Sequence, residues 1–129
     1  MSTNSSIAVK TDNGYETIYC HWDGYPSYIM PMLLNNYNTE ELARALVDYG
    51  DASSISEKLL PTEMSHSFDK PQENVCVFYH RDRGEPWEYT APRTYSKEEV
   101  LKTQYFVYIF EDGEWHAYEN RKEIFDYDD

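Results

Sequence analysis

The sequence predicts an α+β domain whose mostly antiparallel sheet holds about five strands, with two or three short helices on one face. Two turn signals predict hairpins, because Asn13-Gly14 and Asp112-Gly113 favour the positive φ angles of tight two-residue turns. A third observation predicts a helix start, since Ser96 is followed three residues later by Glu99, the spacing of a capping box.

Each hairpin signal lies between two short strand-like segments. Residues 6–10 and 15–21 predict the first pair of strands, and turn residues at 22–26 end the second of them. Residues 105–110 and 114–118 predict the last pair, on either side of the Asp-Gly turn. Antiparallel pairing satisfies both signals.

Two helices are predicted between the first hairpin and a later strand. Residues 28–37 form a short apolar helix with Pro31 in its first turn. Asn38 and Glu41 together predict the start of a second helix, over residues 39–49. A stripe with the spacing i, i+4, i+7 should face the core of the protein, and it consists of Leu42, Leu46 and Tyr49.

The remaining segments carry weaker signals. Residues 51–74 predict a long surface loop, and a loop of that length in a compact domain is often functional or mobile. Residues 75–80 are apolar on both faces, which predicts a central strand. Residues 96–103 predict a short helix behind the capping box, and the tail from residue 119 predicts one helical turn.

Length and charge bound the class of protein. The chain has 129 residues, which predicts one domain over residues 1–129, with residues 1–5 and 126–129 as flexible tails. Acidic residues number 24 against 11 basic ones, and the net charge of −13 argues against direct binding to nucleic acids and to anionic membranes. No apolar run approaches the ~18 residues that span a bilayer. Two cysteines cannot form a disulfide framework, which favours a reducing cytoplasm.

The densest polar and aromatic chemistry lies in residues 21–26 (HWDGYP) and 79–85 (YHRDRGE). Further markers are Leu33-Leu34 with Tyr37, Gly50-Asp51, and the aromatic strand, Asp-Gly turn and tryptophan of residues 105–115. In these motifs, over roughly residues 6–118, the chain resembles a family of small, mostly uncharacterised proteins of phages and mobile elements. The resemblance implies a protein that works in the cytoplasm of a host cell, and it implies no particular activity.

The same two segments predict an alternative, a small ligand-binding, metal-binding or hydrolytic site. In each His-x-Asp pair, one strand face would present an imidazole and a carboxylate to a metal ion. The candidate residues of this alternative site are His21, Trp22, Asp23, Tyr25, His80, Arg81, Asp82 and Arg83. The favoured interpretation is structural, with Arg81 or Arg83 paired to Asp23 or Glu85 and no metal bound.

Nucleophilic and cofactor chemistry have no support in the motifs. Cys20 and Cys76 both lie in predicted strands, where a free cysteine is usually a small buried hydrophobe. Neighbouring strand residues point to opposite faces, so Cys20 and His21 do not form a dyad. The chain has no Gly-x-Ser-x-Gly, P-loop or dinucleotide glycine pattern. We therefore expect neither a catalytic residue nor a cofactor.

The acidic, tyrosine-rich composition carries the main functional hypothesis. Carboxylates on a rigid surface can occupy the basic nucleic-acid groove of a partner, and tyrosines supply contact area. The candidate partner-binding residues are Glu111, Asp112, Glu114, Glu119, Glu123 and Asp126. The expected partner is a host defence protein with a basic nucleic-acid-binding surface, such as a CRISPR effector or a restriction enzyme. A structural phage protein is the third alternative, and plain solubility is the competing explanation of the charge.

Overall fold

The computed structural model describes residues 2–127, which form eight strands and five helices. In chain order the elements are β1 Ser5–Thr11, β2 Gly14–Cys20, α1 Pro26–Asn36, α2 Glu40–Val47, β3 Ala52–Ser54, β4 Val77–Phe78, α3 Tyr79–Arg83, α4 Trp87–Thr90, β5 Arg93–Tyr95, α5 Lys97–Val100, β6 Phe106–Glu111, β7 Glu114–Glu119 and β8 Lys122–Ile124. None of the helices within the described residues has the length and apolar character needed to cross a membrane.

All the strands belong to one mixed sheet. Its order is β4-β3-β2-β1-β6-β7-β8, and β5 pairs with β2 beside that path. The β1–β6 and β2–β3 pairs are parallel, and the other pairs are antiparallel. The α+β class is therefore confirmed, but the sheet is larger than the predicted five strands and is mixed, because β6 returns to lie beside β1.

Tight turns join three of the antiparallel pairs, which are β1–β2, β6–β7 and β7–β8. Asp112 and Gly113 have φ angles of 56° and 82°, as the Asp-Gly signal predicts. The first hairpin forms as predicted, but Thr11 pairs with Gly14, so Asp12 and Asn13 make the turn instead of Asn13 and Gly14. A third hairpin turns at positions 120 and 121, with φ angles of 50° and 68°, and places β8 where the sequence predicted a helical turn.

The sheet buries apolar side chains on both faces. Helices α1 and α2 cover one face, over a core that includes Ile7, Leu33 and Tyr108. On the other face Val100 of α5 packs with Ile109 and neighbouring residues. The prediction of helices on one face is therefore wrong, because alternate residues of the central strands are apolar on both sides.

The two long helices lie close to the predicted positions but differ in detail. Pro26 opens α1, and Pro31 lies inside it instead of in its first turn. Helix α2 is capped by Thr39, whose Oγ1 accepts from the Leu42 N–H at 3.1 Å, so the predicted cap at Asn38 is wrong. Leu42 itself is 44% exposed, and the buried stripe of α2 is Ala43, Leu46 and Val47.

The segment predicted as a central strand is short and lies at an edge of the sheet. Only β4 is extended, and α3 follows at once because the Asp82 carboxylate accepts from the Phe78 N–H at 2.8 Å. Phe78 is buried by a stacked Tyr49 ring 5.0 Å away, so its burial does not require strands on both sides.

The prediction for the short helix is confirmed, and the prediction for the N-terminal tail is wrong in part. The capping box of Ser96 and Glu99 is confirmed, and it starts the four-residue helix α5. The predicted N-terminal tail is wrong at Ser5, which is fully buried in β1. Of the predicted C-terminal tail, positions 128 and 129 lie outside the described residues, and Tyr127 packs against the core.

Candidate functional site

The HWDGYP segment forms the connection between β2 and α1. The backbone N–H groups of His21 and Trp22 donate to the carbonyls of Ala52 and Ser53 at 3.1 and 2.9 Å. These bonds extend the pairing of β2 with β3 beyond the end of the strand. Asp23 then adopts a φ of 56° and turns the chain toward α1.

Gly24 fixes this connection to the sheet. Its N–H donates to Thr3 O at 2.8 Å, and its carbonyl accepts from the Tyr108 hydroxyl at 2.7 Å. A Cβ at this position would lie 2.6 Å from the Cβ of Ser5 and 2.9 Å from Thr3 O. The glycine in the motif is therefore required by close backbone packing, and this role is structural.

The side chains of the same segment differ in exposure. The His21 imidazole shares a hydrogen bond of 2.7 Å between its Nδ1 and the Tyr19 hydroxyl, and its ring meets the edge of Trp22. Trp22 is 44% exposed, Asp23 is exposed, and the Tyr25 ring is half-buried against Tyr28. The segment thus presents an aromatic surface around one imidazole.

The YHRDRGE segment is organised around the carboxylate of Asp82. Arg81 Nε donates to Oδ1 at 2.9 Å and Nη2 donates to Oδ2 at 3.1 Å, so the ion pair is bidentate. The side chain of Asp82 is only 4% exposed. Burial alone raises the pKa of this carboxyl, but the hydrogen bonds from Arg81 and the Phe78 N–H outweigh burial and lower the pKa below its ordinary value.

Arg81 connects this carboxylate to the long segment between β3 and β4. Its guanidinium donates to Leu59 O at 2.7 Å and to Cys76 O at 2.9 Å. It also lies over the rings of Tyr49 and Phe78, 5.1 and 4.9 Å from their centroids. The arginine therefore binds one residue inside the predicted surface loop and one residue just after its end.

His66, which the sequence analysis did not single out, completes the Asp82 cluster. Its Nδ1 accepts from the Gln72 N–H at 2.9 Å, so the proton of the neutral ring belongs on Nε2. Nε2 lies 3.2 Å from Asp82 Oδ1, and the His66 side chain is 2% exposed. The contact joins residues 16 positions apart, so no local sequence pattern signals it.

Among the described residues no hydrogen bond or ion pair joins the two motif segments to each other. The Trp22 N–H donates to the carbonyl of Ser53, the middle residue of β3, whereas the Tyr79 N–H donates to Asp51 O, just before β3 begins, at 3.2 Å. Arg81 and Arg83 pair with Asp82 and Glu85 of their own segment, at 2.9 and 3.8 Å. Among the described residues the predicted ion pair with Asp23 is not formed, because the two segments leave β3 in opposite directions.

The side chains of the two segments offer few groups for a shared metal or catalytic site. Within residues 2–127 no group of three or more His, Cys, Asp or Glu side chains is arranged to hold a metal ion. His80 is exposed, and its Nδ1 lies 2.7 Å from Glu85 O of the same segment. Both cysteines are buried, and burial raises the pKa of the Cys20 thiol to about 12, which keeps it protonated at neutral pH.

A polar cavity of ≈330 Å³ lies on the sheet face opposite α1 and α2. Its lining residues include Ser6, Thr17, Tyr19, Asp51, Arg93 and Gln104. The Asp51 carboxylate accepts from the Tyr19 N–H at 2.9 Å and from Arg93 Nη1 at 3.0 Å. The Asp51–Arg93 ion pair thus provides a hydrogen-bond acceptor for a backbone N–H of β2, between the partner strands β3 and β5. Its main role is structural. No local sequence pattern signals this cavity, because its lining residues come from five segments of the chain.

Glu111, a predicted partner-binding residue, is an internal ion-pair centre. Its carboxylate accepts from Lys97 Nζ at 2.7 Å and from the Tyr15 hydroxyl, and Lys10 lies 3.5 Å away. Burial and this hydrogen bond raise the pKa of Tyr15 to about 12. Burial alone raises the pKa of Glu111, but the Lys97 and Tyr15 hydrogen bonds outweigh it and lower the pKa. Only 11% of the Glu111 side chain is exposed, so it presents little charge to a partner.

Exposed carboxylates gather where the first two hairpin turns and the start of α2 come together. Asp12, Glu40 and Asp112 line one concavity of ≈410 Å³, and Glu114 follows Asp112 across its turn. Glu40 is paired with Arg44 at 3.2 Å, whereas Asp12, Asp112 and Glu114 have no cation partner among the described residues. We call Asp12, Glu40, Asp112 and Glu114 the acidic hairpin end.

The other predicted partner-binding residues lie elsewhere. Glu119 stands at the opposite end of β7 from Glu114, roughly 17 Å away at about 3.4 Å per residue. Glu123 on β8 is hydrogen-bonded to His116, with 2.9 Å between the Glu123 Oε2 and the His116 Nδ1. Asp126 is exposed and follows β8. The six candidates therefore do not share one surface.

Comparison of the chain with protein-family models, with curated proteins and with solved structures gives no match.

Proposed function

We propose that this protein is a non-enzymatic inhibitor that binds a basic, nucleic-acid-binding surface of a host protein and occludes it. The observation that supports the proposal is the acidic hairpin end, where Asp12, Asp112 and Glu114 carry negative charge with no cation partner among the described residues. Two separate hairpin turns supply these carboxylates, and the sheet holds both turns in place.

The charge distribution makes these carboxylates available to a partner. Lys10 and Lys97 are committed to Glu111, and Arg44 is committed to Glu40. The neighbouring cations therefore neutralise carboxylates other than the three exposed ones. Because Asp12 and Asp112 lie in tight turns, little backbone entropy is lost when a partner binds them.

The expected mechanism is electrostatic attraction followed by steric occlusion. A net charge of −13 attracts a basic surface over about one Debye length, which is ~10 Å at 0.1 M salt. The bound protein would then cover the groove that normally takes a phosphate backbone. A host defence protein is the partner that we propose, and the resemblance to phage proteins fits such a setting in a host cell.

The alternative of a ligand or hydrolytic site shared by the two motif segments has less support. Gly24 and Asp82 serve the backbone packing of their own connections, at 2.8 Å from Thr3 O and from the Phe78 N–H. The imidazoles of His21 and His80 each have a partner in their own neighbourhood. Within the described residues, no hydrogen bond or ion pair joins one segment to the other.

Affinity capture from host lysate, at low and at high salt, tests the proposal. The tagged protein should retain a basic nucleic-acid-binding protein at low salt and release it at high salt. Reversal of the three charges, Asp12→Lys, Asp112→Lys and Glu114→Lys, should slow association with that partner about tenfold or more.

A matched control has the same change in net charge at another surface. Glu63→Lys, Asp69→Lys and Glu73→Lys alter three exposed carboxylates of the segment between β3 and β4. If this control weakens binding as strongly as the hairpin-end variant, net charge alone drives association and the proposed surface is wrong. Retention of an acidic or uncharged partner that is insensitive to salt would overturn the mechanism.

A further inference from the structure

The polar cavity of ≈330 Å³ has a floor of small hydroxyl side chains on one face of the sheet. Thr17 of β2 pairs directly with Arg93 of β5, and directly paired residues point to the same side of a sheet. Ser6 of β1 lies on this side too, because it alternates with Ile7, which packs in the core under α1 and α2. Ser6 and Thr17 are each 3% exposed, so they form the floor of a cavity whose volume is typical of a small-ligand site.

The floor of the cavity can accept hydrogen bonds but has no proton left to donate. The Thr103 hydroxyl donates to Val100 O at 2.7 Å, so Ser6 Oγ is the donor in the 2.7 Å bond between the two hydroxyls. The Thr17 hydroxyl donates to Tyr15 O at 3.0 Å. Because a hydroxyl has one proton and two lone pairs, Ser6 and Thr17 can act toward the cavity only as acceptors.

Asp51 adds a third acceptor, and its charge is balanced inside the cavity. Its carboxylate accepts from the Tyr19 N–H and from Arg93 Nη1, and one of its oxygens keeps a lone pair for a further donor. Asp51 and Arg93 are the two charged residues among those that line the cavity, so the described lining is neutral as a whole. The net charge of −13 repels anions, and the cavity therefore favours a neutral ligand that brings hydrogen-bond donors to the floor.

The less buried lining residues supply a donor and two aromatic rings. The Gln104 side chain is half-buried and forms no hydrogen bond with the described residues, so its amide can donate to an acceptor atom of a ligand. Tyr19 and Tyr95 line the same cavity, and tyrosine rings are faces on which a planar ligand stacks. This set of groups complements a planar heterocycle that carries an amino group next to a ring acceptor.

We propose that this cavity binds the amino-bearing nucleobase of a nucleoside, adenine or cytosine, with its exocyclic amino group at the acceptors Ser6, Thr17 and Asp51. The ring nitrogen beside that amino group is an acceptor in both bases, and the Gln104 amide donates to it. A keto base, hypoxanthine or uracil, places a carbonyl oxygen against the same lone pairs, and that contact is repulsive. The inference goes beyond the proposed function and does not rest on it, because a neutral nucleoside lacks the phosphates that the protein's charge repels.

Titration of the intact protein with matched nucleosides, followed by amide NMR shifts, tests the inference without any substitution. Adenosine should bind about tenfold or more tightly than inosine, and cytidine than uridine, because each pair exchanges the amino group for a carbonyl. The shifts should centre on Thr17, Tyr19 and Gln104. No shifts with either amino nucleoside, or equal affinity of the two members of a pair that binds, would overturn the inference. Equal shifts with ribose alone, or tighter binding of adenosine monophosphate than of adenosine, would also overturn it, because the base would then not be the recognised group.

Two variants assign the contacts within the cavity. Gln104→Leu should weaken binding of the amino nucleoside about tenfold and leave thermal stability unchanged, because the amide has no hydrogen bond to lose among the described residues. Thr17→Val should reduce the preference for the amino nucleoside over its keto partner, since a methyl group replaces one acceptor of the floor. Thr94→Val is its matched control, because Thr94 is exposed on β5, points to the other face and does not line the cavity. Equal effects of the two threonine variants, or unchanged binding by Gln104→Leu, would contradict the assignment, and the nucleoside pairs still decide the matter if Thr17→Val fails to fold.

Discussion

Arg81 and Asp82 are adjacent in the sequence, yet their side chains form a bidentate ion pair, with Nε–Oδ1 and Nη2–Oδ2 distances of 2.9 and 3.1 Å. Each partner continues into other parts of the chain. Asp82 accepts from the Phe78 N–H, and Arg81 donates to the carbonyls of Leu59 and Cys76. The pair therefore joins α3 to the segment between β3 and β4.

Replacement of Asp82 by Asn should lower the free energy of unfolding by about 3 kcal/mol, because it leaves the largely buried Arg81 guanidinium without its counter-charge. Urea denaturation measures the change. Asp69→Asn, an exposed position in the neighbouring segment, should change stability by less than about 0.5 kcal/mol. Equal effects of the two variants would contradict a structural role for the ion pair.

The same carboxylate predicts a pH dependence of stability. The pKa of Asp82 is lower in the folded protein than its ordinary value of about 3.9, so its contribution is present above pH ~4. That contribution is lost as pH falls through the folded pKa. The stability difference between wild type and Asp82→Asn should therefore shrink in acid, and urea midpoints measured from neutral pH downward check it. A difference that grows in acid would contradict the prediction.

Local chemistry explains which parts of the fold could be predicted. The Asp112-Gly113 turn could be predicted because Asp-Gly favours positive φ angles at both turn positions, and these angles are 56° and 82°. The turn at Asn120-Arg121 has the same positive φ angles but no glycine, so the sequence gives no comparable signal for β8. Burial of Phe78 by Tyr49 was unpredictable, since an apolar run looks alike whether a strand or a ring covers it.

The candidate site was less predictable than the fold, because its partners are distant in the chain. His66 reaches Asp82 across 16 positions, and Tyr15 reaches Glu111 across 96. Charge counting located an acidic surface but could not tell that Glu111 is committed to Lys97. The proximity of Asp12 to Asp112 was equally unpredictable from charge, because it depends on the parallel pairing of β1 with β6.

Glu111→Gln should lower the free energy of unfolding by about 1–2 kcal/mol, because two lysines and a buried tyrosine hydroxyl converge on the carboxylate. Lys10 and Lys97 are partly exposed and regain water, which limits the loss. Glu114→Gln is the matched control, and it should be nearly neutral because Glu114 is exposed without a cation partner among the described residues. Thermal unfolding of both variants decides whether Glu111 belongs to the interior or to the binding surface.

Two glycines should respond unequally to replacement by alanine. Gly113→Ala should cost about 1 kcal/mol, because its φ of 82° strains an L residue although a Cβ would meet nothing within 4 Å. Gly24→Ala should cost more, about 2–3 kcal/mol, because the added Cβ would press against Ser5 and the Thr3 carbonyl. Urea denaturation gives the order directly, and a larger cost at Gly113 would contradict the packing role of the HWDGYP glycine.

The contact between His116 and Glu123 should make the attachment of β8 to β7 depend on pH near neutrality. Burial alone lowers the pKa of His116, but the hydrogen bond to Glu123 and the Glu111 carbonyl outweigh burial and raise the pKa above its ordinary value. The stabilisation is therefore complete below pH ~6.5 and is lost as pH rises through the folded pKa, and it should stay under about 1 kcal/mol because both groups are partly exposed. An NMR titration of the imidazole should give a raised pKa that Glu123→Gln lowers and that Glu119→Gln, on β7 itself, leaves nearly unchanged. An unaltered His116 titration in Glu123→Gln would show that the ion pair does not form in solution.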